Sequence, residues 1–396
     1  MTPLLQRLRL NEVELELKEL TCDFMTGKVE PMTEELENHP KEHLAGLFKA
    51  MGGLGILGPF FPEAYGGLDA RLRTRAVVAE ETACVNAGLD ASMFADIILC
   101  ARAINNHGSE EQKRTYLEPL VRGEILGSMA ITEPSGGSNA LSPRTRARRE
   151  GSSWVIQGSK TFITNAPIAK CILVLTRTSG EDRQIEGGTW FIVEAGSPGL
   201  QVGPPFEKTG WKSSLTSEVF LNRVVVDSSQ VLGEVGKGFH YLVEALDVER
   251  MLVGASAVGI ARAALDEMIA YATTREVFGE PISRFQLIQE KIANTAAAIE
   301  LSRNLLYSLL EAAEAGHKIT REASIMKLYA SSMASQAATD AVQVLGGYGY
   351  MADAKAARCY RDAKYHEIGA GTNEIQKLII ARETLREAGV AAPAGR

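Results

Sequence analysis

The sequence predicts an α+β protein with three consecutive domains: an N-terminal α-helical domain (residues 1–125), a middle antiparallel β-domain (126–238) and a C-terminal four-helix bundle (239–390). Apolar residues recur with helical spacing at both ends of the chain, whereas β-branched and aromatic residues form short runs in the middle. The chain has 396 residues, which is too long for one small core and also favours several domains.

The N-terminal domain is predicted from two runs with helical periodicity, Leu44–Met51 and Val77–Ala87. Between them, the stretch Pro59–Gly67 is rich in proline and glycine, which favour turns. We therefore expect helices on both sides of a turn.

The middle domain is predicted from short runs of residues with high β propensity, separated by Gly, Ser and Pro. The runs are Trp154–Ile156, Cys171–Thr176, Trp190–Val193, Val219–Leu221 and Val224–Val226. This pattern is typical of an antiparallel sheet or a small barrel. A basic run at strand spacing is interpreted as a solvated strand face, with contact to a polyanion as the alternative. It consists of Arg144, Arg146, Arg148 and Arg149.

The C-terminal domain is predicted from the return of the helical period at about residue 239. No proline occurs between Pro281 and Pro393 and alanine is abundant, as expected for a bundle of long helices. The order of helices, sheet and bundle excludes a doubly wound nucleotide-binding domain. No Gly-x-Gly-x-x-Gly motif links a strand to a helix, so a nicotinamide cofactor is not expected.

The composition excludes several classes of function. A net charge of -7 leaves no dominant basic surface for nucleic acid. The five cysteines form no Cys-x-x-Cys pair and the six histidines form no cluster, so we expect neither disulfides nor a metal site. No apolar run approaches the roughly 20 residues of a membrane span. The acidic N-terminus, with Glu12, Glu14, Glu16 and Glu19, is unlike a targeting peptide, and we expect a cytoplasmic enzyme.

Five stretches, rich in Gly, Ser, Thr and aromatic residues, stand out along the chain. They are Phe61–Gly67 with Gly108–Lys113 and Tyr116–Pro119, Met129–Ser138, Gly158–Asn165, Arg275–Gly279 with Phe285-Gln286, and Gln343–Gly349 followed by Gly369–Glu374. A loop such as Thr132–Ser138 can bring backbone N–H groups and hydroxyls against a planar polar ring. In this order and over nearly the whole chain, the stretches resemble the acyl-CoA dehydrogenase family, and most closely its isovaleryl-CoA dehydrogenase-like branch.

The resemblance implies a flavoprotein that uses FAD to desaturate an acyl thioester between its α and β carbons. One set of residues would line the flavin: Met129, Ala130, Ile131, Thr132, Ser138, Phe162, Ile163, Thr164, Thr372, Asn373 and Glu374. A second set would reach the FAD of a neighbouring subunit: Arg275, Phe278, Gln286, Gln343, Val344, Leu345, Gly346 and Gly347. Arg275 could supply a bidentate donor to the pyrophosphate. A homo-oligomer follows, most often a tetramer in this family.

The catalytic base is expected at Glu249. Many family members carry a glutamate directly before the Gly-Thr of the last motif, but this chain has Ala370 there. The isovaleryl-like branch carries it instead in a helical Leu-Asp-x-Glu-Arg pattern, which Leu246–Arg250 matches. Glu249 also interrupts an apolar stripe at helical spacing, where a carboxylate is costly unless paired or functional. A buried structural ion pair, for example with an arginine, is the competing interpretation.

The remaining substrate contacts follow from the resemblance. The backbone N–H of Ala370, next to Gly371, would polarise the thioester carbonyl, where enolate-like charge develops. Ser138 would face the pantetheine, and Asp247 and Arg250 would hold the pantetheine or CoA.

Three further functions are consistent with the sequence. The same chemistry could act on an acyl or prolyl group tethered to a carrier protein, because Asn139 and Asp227-Ser228 depart from the family pattern. The chain could also be a flavin monooxygenase or a non-catalytic binding module.

The electron acceptor could be an electron-transfer flavoprotein or oxygen. The isovaleryl-like base favours a short or branched acyl group.

Overall fold

The computed structural model describes residues 9–390, and its N-terminal part is helical. The helices are α1 (Glu12–Phe24), α2 (Thr33–Asn38), α3 (Pro40–Gly53), α4 (Arg73–Met93), α5 (Arg102–His107), α6 (Glu110–Gln112) and α7 (Glu118–Val121). Both predicted helical runs lie inside α3 and α4. The predicted turn region holds only the short 3₁₀ turn Glu63–Tyr65, so these expectations are confirmed.

One long apolar helical stretch was not predicted from the sequence. Helix α4 bends at Asn86 and continues through the π-helical segment Phe94–Ala101 into α5. The resulting 35-residue stretch, Arg73–His107, is long and apolar enough to cross a membrane by length and composition, and its most apolar 18-residue window has a mean hydropathy of 1.4. However, 89% of its most apolar window is buried inside the protein, as expected of a core helix.

The middle part of the chain forms one twisted sheet. Its strands are β1 (Gly127–Ala130), β2 (Arg146–Glu150), β3 (Ser153–Thr164), β4 (Cys171–Arg177), β5 (Gly188–Glu194), β6 (Leu200–Val202), β7 (Thr216–Asp227) and β8 (Val231–Leu232). The strand order is β6-β7-β3-β2-β4-β5-β8, with β1 beside β4. The pairing is mainly antiparallel, as predicted, but β1 and, through one residue pair, β2 run parallel to β4. The four arginines of the basic run are exposed, as a solvated face requires.

Two predicted strands prove to be one. Val219–Leu221 and Val224–Val226 both lie in β7, and a β-bulge separates them. Val224 faces Ile156 and Leu221 faces Gly158, so two residues of β7 oppose one of β3. The bulge places Arg223 at φ 53, a conformation that propensity alone does not reveal.

The C-terminal part returns to helices. They are α8 (Gly238–Thr274), α9 (Gln286–Glu314), α10 (Thr320–Leu345), α11 (Lys355–His366) and α12 (Asn373–Glu387), with a small hairpin of β9 (Glu276–Val277) and β10 (Glu280–Pro281) after α8. Helix α10 packs against all four of the others. Helix α8 also packs along α4, which joins the bundle to the N-terminal domain.

The first turn of α8 is fixed against the sheet. The indole Nε1 of Trp190 donates to the Gly238 carbonyl at 2.8 Å. The Phe239 ring occupies the space beside Gly188, where a Cβ would lie only 2.4 Å from the ring, and the Arg177 guanidinium covers that ring at 4.8 Å. These contacts set the direction in which α8 crosses the sheet edge, and Glu249 lies about three turns further along.

Candidate active site

A cleft of about 280 Å³ lies where the end of β1 and part of β3 face α8 and the π-helical segment. The cleft gathers residues from stretches that are far apart in the sequence. The predicted site residues that line it are Met129, Ile131, Thr132, Ser138, Phe162, Ile163, Thr164, Glu249, Arg250, Ala370 and Gly371. The structure therefore brings together the three predicted elements, namely flavin loop, base and carbonyl loop.

The loop after β1 is held by a buried ion pair. Lys160 Nζ lies 2.8 Å from Glu133 Oε1 and also donates to the Ile131 carbonyl at 3.0 Å. Glu133 Oε1 also accepts the backbone N–H of Thr145 at 3.0 Å, and Oε2 accepts that of Arg144 at 2.6 Å. Burial lowers the pKa of Lys160 to about 8. Because its ends are tied in this way, the loop keeps a fixed shape beside the cleft.

The cleft wall on β3 has a strained backbone. Phe162 adopts φ 59 although it is not glycine, and its side chain is 64% exposed. Asn165, at φ 67, anchors this segment by donating to the carbonyls of Ser92 at 2.9 Å and Gly127 at 3.3 Å. Among residues 9–390, the hydroxyls of Thr132 and Thr164 have no hydrogen-bond partner. Aromatic surface and free hydroxyls are thus presented to the cleft together.

Glu249 is buried in the wall of the cleft, with 4% of its surface exposed. Its carboxylate makes no hydrogen bond or ion pair with any other residue in the described range, so the competing interpretation of a structural ion pair is not supported. Burial raises the pKa of Glu249 to about 7, although Arg102 and Arg250 act in the opposite direction. An isolated carboxyl with a pKa near neutrality suits a general base.

Asp247 does not line the cleft, and its predicted contact with the pantetheine or CoA stays a prediction. Its Oδ1 accepts Arg250 Nη1 at 2.7 Å, and its Oδ2 accepts the Thr320 hydroxyl at 2.7 Å. Three residues separate Asp247 from Arg250 along the helix, so the two side chains meet on its surface. Asp247 therefore orients Arg250, which does line the cleft.

The loop before α12 forms another wall of the cleft. Ala370 and Gly371 both have left-handed backbones, at φ 51 and φ 81. Gly369 has no room for a side chain, because a Cβ would lie 2.4 Å from the Tyr365 ring. The Gln376 amide donates to the Gly371 carbonyl at 2.9 Å and holds the loop from below. The Ala370 N–H has no acceptor among residues 9–390, so this donor is available.

Four predicted cofactor residues do not line the cleft, and their contact with the cofactor stays a prediction. Ala130 is fully buried in the sheet core, because strand alternation turns it away from the face that carries Met129. Asn373 accepts from Lys327 and Ser331 at 3.0 Å each, inside the bundle. Two others lie at the start of α12 outside the cleft lining: Thr372, its N-cap, and the exposed Glu374.

The residues predicted to reach a neighbouring subunit lie at a separate site. Arg275, Val344, Leu345, Gly346 and Gly347 line an open concavity of about 600 Å³ between the ends of α8 and α10. The others in this set, Phe278, Gln286 and Gln343, are exposed, with Phe278 at 95%. Their role at a subunit interface stays a prediction.

Sequence reasoning missed part of the cleft. The π-helical segment contributes Phe94, Ala95 and Leu99 to the lining, and the end of α11 contributes His366, whose Nε2 lies 3.0 Å from the Ser256 hydroxyl. No periodic pattern identifies a π-helical turn. The spacing of Ser256, seven residues after Glu249, was an available signal because it places both on one face of α8.

Comparisons with known proteins agree with this arrangement. Three protein-family models match consecutive parts of the chain. They are the acyl-CoA dehydrogenase N-terminal domain at residues 11–124, the middle domain at 128–224 and the C-terminal domain at 236–385. A probable acyl-CoA dehydrogenase of Bacillus subtilis is 40% identical over 93% of this chain and 97% of its own length. The mitochondrial isovaleryl-CoA dehydrogenase of Solanum tuberosum is 34% identical over 95% of this chain and 92% of its own.

The fold has solved counterparts. An acyl-CoA dehydrogenase of Bacillus anthracis, solved in complex with FAD, superposes with a TM-score of 0.90 at 33% identity, covering 96% of this chain and 67% of that one. Both the sequence and the fold therefore match acyl-CoA dehydrogenases over nearly the whole length of the chain. The chain therefore belongs to the acyl-CoA dehydrogenase family, whose members are FAD-dependent oxidoreductases that act on the CH–CH bond of acyl-CoA.

Proposed function

We propose that this protein desaturates a short or branched acyl-CoA at the α,β bond, with Glu249 as the base that removes the α-proton. The observation that carries the proposal is the isolated, buried Glu249 carboxyl in the wall of a cleft that the flavin motifs also line. A carboxylate without a structural partner is costly to bury, and a functional role explains why it is there.

The cleft residues fit a flavin. Met129, Ile131 and Phe162 offer apolar surface for a flat ring, and the unpartnered hydroxyls of Thr132 and Thr164 can meet its polar edge. FAD bound there supplies the acceptor for the hydride that leaves the β-carbon. Arg275 and the glycines Gly346 and Gly347, in their open concavity, would contact the cofactor of a second subunit, which makes the active unit an oligomer.

The proton step is derived from the surroundings of Glu249. Its pKa of about 7 leaves a substantial ionised fraction near neutral pH, while burial keeps the carboxylate basic enough to take a weakly acidic α-proton. The free Ala370 N–H, on a loop held by Gln376, stabilises the negative charge that develops on the thioester oxygen. The loop needs no rearrangement to offer this donor.

Arg250 and Ser138 would receive the CoA portion. Arg250 lines the cleft with its guanidinium oriented by Asp247, and Ser138 is exposed.

The relatives from Bacillus subtilis and Solanum tuberosum are both named as acyl-CoA dehydrogenases, which favours CoA over a carrier protein as the thioester carrier. An electron-transfer flavoprotein is the acceptor we expect.

Anaerobic bleaching of the bound flavin tests the proposal. Purified protein should be yellow, and its flavin absorbance should fall on addition of butyryl-, isobutyryl- or isovaleryl-CoA but not with the same acyl groups on a carrier protein. A colourless protein, or bleaching by carrier-bound groups alone, would contradict it. Product analysis by mass spectrometry should detect the loss of two hydrogens and no added oxygen.

A further inference from the structure

A second cavity, which we call the back cavity, lies behind Glu249 and is not used by the chemistry proposed above. It measures about 180 Å³ and lies between Ile98–His107 and the first turns of α8. Four residues line both this cavity and the active-site cleft, namely Leu99, Met129, Leu242 and Glu249. Apart from Glu249 these residues are apolar, and their shared boundary is where a substrate tail that extends past the reacting carbons would reach the back cavity.

The far end of the back cavity is polar. Its lining includes Arg102, Asn106, His107, Tyr241 and Glu244. The His107 and Tyr241 rings stack at 3.8 Å, and burial lowers the pKa of His107, which keeps it neutral. Glu244 is exposed, so solvent screens its charge. Arg102 is the only cationic side chain in this lining, as far as residues 9–390 are concerned.

Arg102 lacks a hydrogen-bonded partner. Its guanidinium makes no hydrogen bond and no ion pair with any residue in the described range, and the only charged group that influences it is Glu249. Charged groups enclosed by protein are normally paired. Once Glu249 has accepted the α-proton it is neutral, and the one charged group that influences Arg102 among the described residues is then lost.

We propose that the back cavity binds the distal carboxylate of a dicarboxylic acyl-CoA, with Arg102 as its partner and specificity-determining residue; this rests on the function proposed above. The planar guanidinium matches a carboxylate in geometry and charge. A carboxylate at the end of the acyl chain supplies the missing counter-charge throughout the reaction. A purely aliphatic tail would leave Arg102 unpaired and pack poorly against the polar end of the cavity.

The test compares acyl-CoA pairs of equal chain length. Glutaryl-, adipyl- and pimelyl-CoA are each matched with valeryl-, hexanoyl- and heptanoyl-CoA, using the wild type, Arg102→Met, Arg102→Lys and the control Arg114→Met, an exposed arginine outside both cavities. Anaerobic flavin reduction gives kcat/KM for each thioester. Binding is measured separately in a Glu249→Gln background by the change in flavin absorbance, so that it does not depend on turnover.

We expect the wild type to prefer at least one dicarboxylic thioester over its matched partner. Arg102→Met should lower that preference by about tenfold or more, in both binding and kcat/KM, and Arg102→Lys should lower it less. Arg114→Met should leave the preference as in the wild type. A wild type that binds aliphatic thioesters as tightly as dicarboxylic ones overturns this proposal even if Arg102→Met fails to fold. A failure of every thioester to bleach the flavin would instead overturn the proposed function, while the binding measurement still decides the role of Arg102.

Discussion

Two buried glutamates, Glu80 on α4 and Glu249 on α8, experience opposite environments. Glu80 is fully buried, yet its carboxylate is bonded by Arg303 at 2.5 Å and by Arg262 at 2.9 Å. Burial alone would raise the pKa of Glu80, but these two arginines hold it at about 2. Glu249 is almost as deeply buried and has no bonded partner, so its pKa is raised to about 7.

The comparison shows that burial alone does not decide what a carboxylate does. A paired carboxylate stays ionised and holds helices together, whereas an unpaired one has a pKa close to neutral pH and can exchange a proton. We therefore expect mutations of Glu80 to change stability and mutations of Glu249 to change activity. The expected effects run from a large loss of catalysis to a small shift in pH dependence.

Glu249→Gln should lower the rate of flavin reduction by acyl-CoA by about 100-fold to 10,000-fold, the usual contribution of a general base. The amide keeps the shape of the side chain but cannot accept the α-proton. Stopped-flow absorbance under anaerobic conditions measures the rate. The matched control is Asp266→Asn, which changes an exposed carboxylate on the same helix and should have little effect. Near-normal flavin reduction by Glu249→Gln would remove Glu249 from the mechanism.

Glu80→Gln should lower the free energy of unfolding by about 3–5 kcal/mol, because it leaves Arg303 without a buried counter-charge. Arg262 also loses one of its two buried partners but keeps Glu81. Urea denaturation at neutral pH measures the loss. In the control Glu300→Gln, Arg303 loses only a partly exposed partner, and the cost should stay below about 1 kcal/mol. Protein that remains folded should still reduce its flavin, since Glu80 does not line the cleft. Equal costs for the two variants would contradict the comparison.

The contributions of the two glutamates to the free energy of unfolding should also depend on pH in opposite directions. The pKa of Glu249 is higher in the folded state than its ordinary 4.5, so its stabilising contribution is complete below that value and is lost as pH rises through about 7. Wild type should therefore lose up to about 3 kcal/mol relative to Glu249→Gln across this window. The pKa of Glu80 is lowered, so its contribution is present above 4.5 and is lost as pH falls through about 2.

Urea midpoints of wild type and both variants, measured in parallel between mildly acidic and mildly alkaline pH, test this prediction. The difference between wild type and Glu249→Gln should grow with pH, and the difference between wild type and Glu80→Gln should stay constant. A gap for Glu249→Gln that does not change with pH would mean that the Glu249 carboxyl titrates normally.

Arg102→Met should produce the smallest effect, a shift of the pH dependence of flavin reduction. Arg102 lowers the pKa of Glu249, so its removal raises that pKa. Since Glu249 must be ionised to act as a base, the rising limb of the rate should move to higher pH, by less than about one unit. The Arg114→Met variant should keep the wild-type limb. A shift to lower pH would show that Arg102 does not stabilise the carboxylate.

Much of the fold was predictable because it depends on local patterns. Helical periodicity located α3 and α4, and β-rich runs located β3, β4, β5 and β7. The bulge at Arg223 was not predictable, because it depends on the register between two strands that lie far apart in sequence. The apolar stretch Arg73–His107 was missed for a similar reason, since charged residues that are buried by tertiary contacts interrupt its sequence.

The candidate site divides in the same way. The helical spacing of Leu242, Leu246 and Glu249 predicted a carboxylate on an apolar face, and the motifs indicated the loops around it. Neighbouring motif residues nevertheless have different environments: Met129 faces the cleft and Ala130 the sheet core, while Asn373 is bonded to α10. Motif resemblance indicates which stretch lies at the site, but strand alternation and packing determine whether each side chain in that stretch faces the cleft or the core.

The sequence by itself determined the order of the domains, because spacing along the chain fixes which residues share a helix face or a strand. Resemblance of its motifs to a known family indicated the family and the expected position of the base. Only the tertiary structure decided that Glu80 is paired, that Glu249 is not, and that Arg102 lies behind it in a polar cavity. The partners of these groups come from segments up to 223 residues away. The protonation and role of a buried charge therefore depend on packing between distant segments, which no local pattern contains.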